Sequence, residues 1–181
     1  NCQDTEYAKI TIVNIPKVKF IRPIEGCDRD TISLNIDTQY IKGGAFTWSP
    51  SNVFGSTLSK KYIPASFDTS SGYVDVRVDW TIPQNICPNP FDTTRVYIHK
   101  YPIIDFTFNY GCEPLTTTFT SIEKRGINPS FLTYSWNINN SSFTSQGPIP
   151  FVFPTQGKYW ASLTVINNAG IKKCGVILTK P

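Results

Sequence analysis

Very few residues in this chain could do chemistry, and most of those are cysteines. There is one histidine, His99, and there are five cysteines, Cys2, Cys27, Cys87, Cys112 and Cys174. A Ser-His-Asp or Cys-His site would need His99 beside a nucleophile and an orienting acid. The sequence has no nucleophile elbow, phosphate loop or other supporting motif. Paired acids such as Asp28/Asp30 and Asp75/Asp79 could exchange protons, but the first pair reads as loop and the second as the outward face of a strand. Calcium is the one cofactor to consider, at the loop acids Asp28, Asp30, Asp68 and Asp92, because it needs several oxygens. No D-x-D-x-D-G pattern gathers them, so caps and turns are the simpler use of these side chains. No catalytic, cofactor-binding or metal residues are therefore assigned, and the chain is read as no enzyme.

The cysteines carry the strongest pattern. Their gaps are 25, 60, 25 and 62 residues, so a short and a long interval alternate. Other residues follow the same period of about 85. Cys2 precedes Ile10-Thr11-Ile12 and Pro16; Cys87 precedes Val96-Tyr97-Ile98 and Pro102. Phe20 and Gly26-Cys27 follow Pro16; Phe106 and Gly111-Cys112 follow Pro102. Each unit then has a tryptophan, Trp48 or Trp136, and a glycine opening an alternating run, Gly72 or Gly157. No spacing is C-x-x-C, so zinc and redox sites are poor readings. Repeat-equivalent cysteines point to disulfides and an extracellular home.

The elements that must position these residues are strands. Gly72 to Trp80 alternates strictly, with Val74, Val76, Val78 and Trp80 on one face and Asp75, Arg77 and Asp79 on the other. Its repeat counterpart is Lys158 to Val165, with Tyr159, Ala161, Leu163 and Val165 facing inward. Thr31–Ile36 and Leu115–Phe119 form a second matched pair, and Ala45–Trp48 and Leu132–Trp136 a third. Turn-rich segments separate them, at Asp68–Gly72, Asn139–Ser142 and Asn167–Gly170 among others. No window has a helical period with caps. The fold class expected is all-β, two tandem immunoglobulin-like sandwiches end to end. Residues 1–15 read as the terminal strand of a preceding repeat, 16–101 as the first sandwich and 102–181 as the second. Trp48, Trp136 and Tyr159 are the expected core anchors. Trp160, pointing away from the core, is a candidate contact surface, although packing under a neighbouring loop is the simpler reading.

Net charge is +4 with no basic run longer than two residues, which reads as an ordinary solvated surface, and no nucleic-acid partner is expected. No apolar stretch is long enough to span a bilayer, so membrane insertion is not expected. Asn139-Asn140-Ser141 and Asn140-Ser141-Ser142 fit the N-x-S acceptor pattern.

The second unit resembles the PKD domain. The resemblance rests on Phe106, on Gly111-Cys112-Glu113-Pro114-Leu115-Thr116-Thr117-Thr118-Phe119, on Tyr134-Ser135-Trp136, and on Phe153 with Gly157 to Val165 and Asn167-Asn168-Ala169-Gly170. The G-C-x-P-L-T form is similar to repeats of Bacteroidota surface proteins. Trp48-Ser49-Pro50, Tyr62-Ile63-Pro64 and Gly72-Tyr73-Val74 in the first unit resemble the Ig-like repeats found beside them, as in gliding-motility adhesins of the SprB kind exported by type 9 secretion. The resemblance implies a structural or adhesive segment of a long cell-surface filament. Its partners would be neighbouring repeats and a surface glycan or protein. The alternative is an accessory polysaccharide-binding region of a secreted hydrolase. Trp136-Asn137-Ile138-Asn139-Asn140-Ser141 departs from the Trp-Asp-Phe-Gly-Asp-Gly stretch of many PKD units: both acids and both glycines, on which any cation binding of that motif would rest, are missing.

Two cysteine pairings compete. Bridges within units, Cys27–Cys87 and Cys112–Cys174, leave only Cys2 alone. Yet Cys27 should lie at the exit end of its sandwich and Cys87 at the entry end, a strand length of roughly 20 Å apart. Bridged Cα atoms lie within about 7 Å. Where sandwiches abut, Cys27 comes close to Cys174. The Cys27–Cys174 bridge is favoured narrowly, with the within-unit scheme a close second.

Overall fold

The computed structural model describes residues 6–39, 43–55, 58–83, 87–109 and 116–181. Cys2, Cys112 and the Gly111–Leu115 run lie outside the described residues. The first sandwich is built from β1 (Lys17–Phe20), β2 (Glu25–Cys27), β3 (Ile32–Gln39), β4 (Ala45–Ser49), β5 (Phe54–Gly55), β6 (Ser59–Tyr62), α1 (Ser66–Ser71), β7 (Tyr73–Thr81) and β8 (Phe91–His99). Its sheets run β1-β3-β6-β5 and β2-β8-β7-β4. The first strand is split. β1 pairs antiparallel with β3, then the chain crosses over and β2 pairs parallel with β8, setting Cys27 opposite His99. The second sandwich comprises β9 (Ile104–Phe108), β10 (Thr116–Glu123), β11 (Leu132–Ile138), β12 (Ser141–Phe143), β13 (Ile149–Val152), β14 (Ala161–Asn167) and β15 (Cys174–Lys180), in sheets β13-β10-β9 and β12-β11-β14-β15. Both units are immunoglobulin-like sandwiches: two facing sheets, antiparallel except at the β2–β8 pair, whose inward residues form one core.

The alternation in β7 has the consequence it should. Val76, Val78 and Trp80 are buried, while Asp75 and Arg77 face water. On that outer face Arg95 binds Asp75 and lies 4.0 Å over the Tyr73 ring, and Arg77 binds Asp79 and lies 4.1 Å over Phe91. Such exposed pairs add little stability; they occupy an otherwise sticky sheet face. Trp48 is 8 % exposed and pairs with Val78 across the β4–β7 ladder. Trp136 is 1 % exposed, with Phe106 and Phe119 edge-on to it at 5.2 and 6.1 Å.

Two expectations are corrected. Asp68–Gly72 is no plain turn, because α1 occupies Ser66–Ser71. The Asp68 carboxylate accepts from the Ala65 N–H at 3.0 Å and from the buried Tyr62 hydroxyl, and Gly72 closes the helix at φ 78°. The helix buries no residue, so it has no apolar period to read. Tyr159 is not at the core centre. β14 begins only at Ala161, opposite Ile138, because Asn139 and Asn140 turn the partner strand away with φ of 46° and 63°. With no ladder to join, Tyr159 is half-buried at the rim, stacked on Phe153 at 4.4 Å. Residues 6–15 are exposed and pair with no strand among the described residues, so their reading as the terminal strand of a preceding repeat stays an expectation.

The second sandwich has an acid-sensitive tie between its first and last strands. Asp105 on β9 receives Lys124 at 2.8 Å and Lys180 of β15 at 2.6 Å. Those lysines, with the Phe106 N–H, hold its carboxyl well below the usual carboxylate range. A depressed carboxyl stabilises the fold above its unfolded pKa, near 4, and loses that contribution as pH falls through the folded value. Unfolding of the second sandwich, followed from pH 5 to pH 2, should therefore show an acid-dependent loss that Asp105→Asn flattens. An unchanged acid profile in Asp105→Asn would contradict it.

Candidate functional site: the stapled junction

Cys27, Cys174, His99, Asp28 and Asp30 come together where the two sandwiches meet, whereas Asp68, Asp75, Asp79, Cys87 and Asp92 lie elsewhere. A disulfide joins Cys27, at the end of β2, to Cys174, at the start of β15; their Cα atoms are 5.8 Å apart and both residues are fully buried. The β2–β8 register brings His99 beside Cys27. His99 Nε2 lies 2.7 Å from Glu25 Oε2, and both side chains are largely buried. The same Glu25 oxygen accepts from the Ile171 N–H of the β14–β15 hairpin at 2.9 Å. This hairpin can approach because residue 170 is glycine: a Cβ there would collide with Glu25 and His99.

A second set of contacts flanks the bridge. The Arg125 guanidinium, in the β10–β11 connection, lies 2.5 Å from Asp28, whose side chain is only 3 % exposed. Arg125 also donates to the Tyr101 carbonyl at 3.1 Å. Tyr101 returns its N–H to Asp28 and its hydroxyl to Asp30, at 3.2 and 2.9 Å. Burial first, then the Asp30 contact, pushes the Tyr101 hydroxyl above its ordinary pKa. Glu123 accepts from the N–H groups of Arg125, Gly126 and Ile127, fixing the loop that presents Arg125. Asn167, also buried, donates to the Lys100 carbonyl at 2.9 Å.

The arrangement holds the two surfaces together through paired groups. His99 has an acid partner, but the sulfurs beside it are oxidised and carry no thiolate. The acids weighed as calcium ligands are all engaged: Asp28 and Asp30 at the junction, Asp68 in the helix cap, and Asp92 with Arg22 and the Phe20 N–H. No group of three or more His, Cys, Asp or Glu converges among the described residues. An open groove of 360 Å³ beside the junction is lined by Ile21, Pro23, Glu25, Asp30, Asn35 and Lys172 among others. Trp160 stands out into solvent, 63 % exposed, and is not packed under a loop.

Sequence reasoning missed the cushions around the bridge. Glu25, Arg125, Asn167 and Gly170 lie far apart in sequence and carry no motif. The N-x-x-G hairpin containing Asn167 and Gly170 was the one signal that could have drawn attention to two of them.

The architecture is thus a pair of immunoglobulin-like sandwiches in tandem, covalently joined. No family profile matches the chain, and no curated protein matches it. Among solved structures it is similar to the D00-D0 domain of intimin, at 14 % identity and a TM-score of 0.41, covering 92 % of this chain and 100 % of that one. It is also similar to Sidekick-1 immunoglobulin domains 1–4 (11 % identity, TM-score 0.36, 92 % of this chain and 47 % of that one). The four N-terminal Ig domains of Dscam1 give 11 % identity and a TM-score of 0.34 over 92 % of this chain and 45 % of theirs. The chain spans about half the length of those last two. No helix among the described residues is long and apolar enough to cross a membrane.

Proposed function

We propose that this chain is a non-catalytic segment of a longer extracellular surface protein, in which stapled sandwiches act as a stiff spacer and carry adhesive surfaces. The Cys27–Cys174 bridge is the observation that carries this reading. It suits an oxidising compartment, and it lies across a junction rather than inside a core, where it fixes one unit against the next. Its partners are neighbouring repeats, with a surface glycan or protein as the adhesive target. Cys87, unpaired among the described residues, takes the repeat position of Cys174 and is placed for the corresponding bridge to another unit. The G-C-x-P-L-T run and the N-x-x-G hairpin favour a PKD-type repeat of a Bacteroidota gliding or adhesion filament. The exposed Trp160 favours a second reading, an accessory polysaccharide-binding region of a secreted hydrolase.

The test is a thiol and activity profile of the protein as secreted. A non-reducing tryptic map should link Phe20–Arg29 to Cys174–Pro181, and screens on peptide, ester and glycan substrates should be blank. Freely alkylated Cys27 and Cys174, or turnover abolished by His99→Ala, would overturn the reading.

A further inference from the structure

We infer that the Cys27–Cys174 disulfide is the load path through this pair of sandwiches. Tension entering before Cys27 and leaving after Cys174 crosses the sulfur bridge and bypasses both cores.

The two cysteines are separated by 147 residues in sequence but by 5.8 Å between Cα atoms. Drawn out fully, that backbone would span about 500 Å. While the bridge stands, none of that length can be extended, because the loop ends are fixed together. Nearly all of both sandwiches, β3 to β14, lies inside the loop. Outside it are only the segment up to β2 and the last strand, β15. Force can peel those strands from their ladders, since ladder hydrogen bonds are weak one at a time, but it then meets a covalent bond. The bridge lies where such a line must run, at the end of β2 and the start of β15. The buried Glu25–His99 and Asp28–Arg125 pairs surround it there. A disulfide within one sandwich would protect only that sandwich; this one places two units off the line of force at once. The inference rests on the junction described under the proposed function but not on any adhesive role.

Single-molecule stretching of the full chain, attached through its two ends, tests it. With the bridge intact, the releasable contour length should be about 100 Å. With reductant, or in Cys27→Ser/Cys174→Ser, two further steps totalling about 500 Å should appear. A thiol count on the same sample separates the outcomes. If Cys27 and Cys174 are bonded and the long steps still appear without reductant, the load path is wrong while the junction stands. If they are found as thiols in the secreted protein, both readings fall. The double variant must show the native amide spectrum of both sandwiches, so that long steps report lost protection and not prior unfolding.

Discussion

Trp136→Ala should cost the second sandwich about 3–5 kcal/mol, the expected loss for a fully packed core aromatic. The side chain is 1 % exposed and forms the centre of an aromatic cluster with Phe106 and Phe119. Its Nε1–H donates to the Ser145 carbonyl at 2.9 Å, so truncation both opens a cavity and orphans an acceptor. Domains of this kind are stable by about 5–15 kcal/mol, so the loss is a large share of the total. Trp48 and Trp80 report on the first sandwich, whose core is separate. Denaturation followed by far-UV circular dichroism should therefore split into two transitions, while tryptophan fluorescence, left to Trp48 and Trp80 of the first core and the exposed Trp160, should follow the later one. A change below about 1 kcal/mol would place Trp136 outside a tightly packed core.

Arg125→Met should loosen the junction at a cost of about 3 kcal/mol, because removing one member of a buried ion pair leaves the other charge uncompensated. Asp28 is the buried member, 3 % exposed, and among the described residues the Tyr101 N–H is the contact left to its side chain. Adding Asp28→Asn should recover much of the loss, since the pair is then replaced and not broken. Hydrogen exchange at Ile171, whose N–H is held by Glu25, should accelerate in Arg125→Met and slow again in the double variant. Equal exchange in all three proteins would show that the ion pair does not hold the faces together.

What could be read from the sequence was whatever repeats or alternates. The inward set of β7, the core residues Ile32, Leu34 and Ile36 of β3, and Trp136 on β11 follow from a period of two within a period of about 85. The bridge was approachable from the sequence because strand length separates the ends of one sandwich. Its surroundings were not. Arg125 meets Asp28 across 97 residues, and the contact depends on a loop held by Glu123 and on a sharp turn at Gly126, φ 70°. Tyr159 misled because alternation continues past the point where the partner strand turns away. The helix α1 was hidden because its stability comes from Asp68 and Gly72 at its ends and not from an apolar stripe.

One covalent bridge should make the two sandwiches a single stiff unit. Residual dipolar couplings, measured separately for the two sandwiches before and after reduction, test it most directly. One shared alignment tensor is expected with the bridge intact, and two distinct tensors, with reduced order in at least one sandwich, once Cys27 and Cys174 are thiols. Two tensors in the oxidised protein, or no change on reduction, would contradict it.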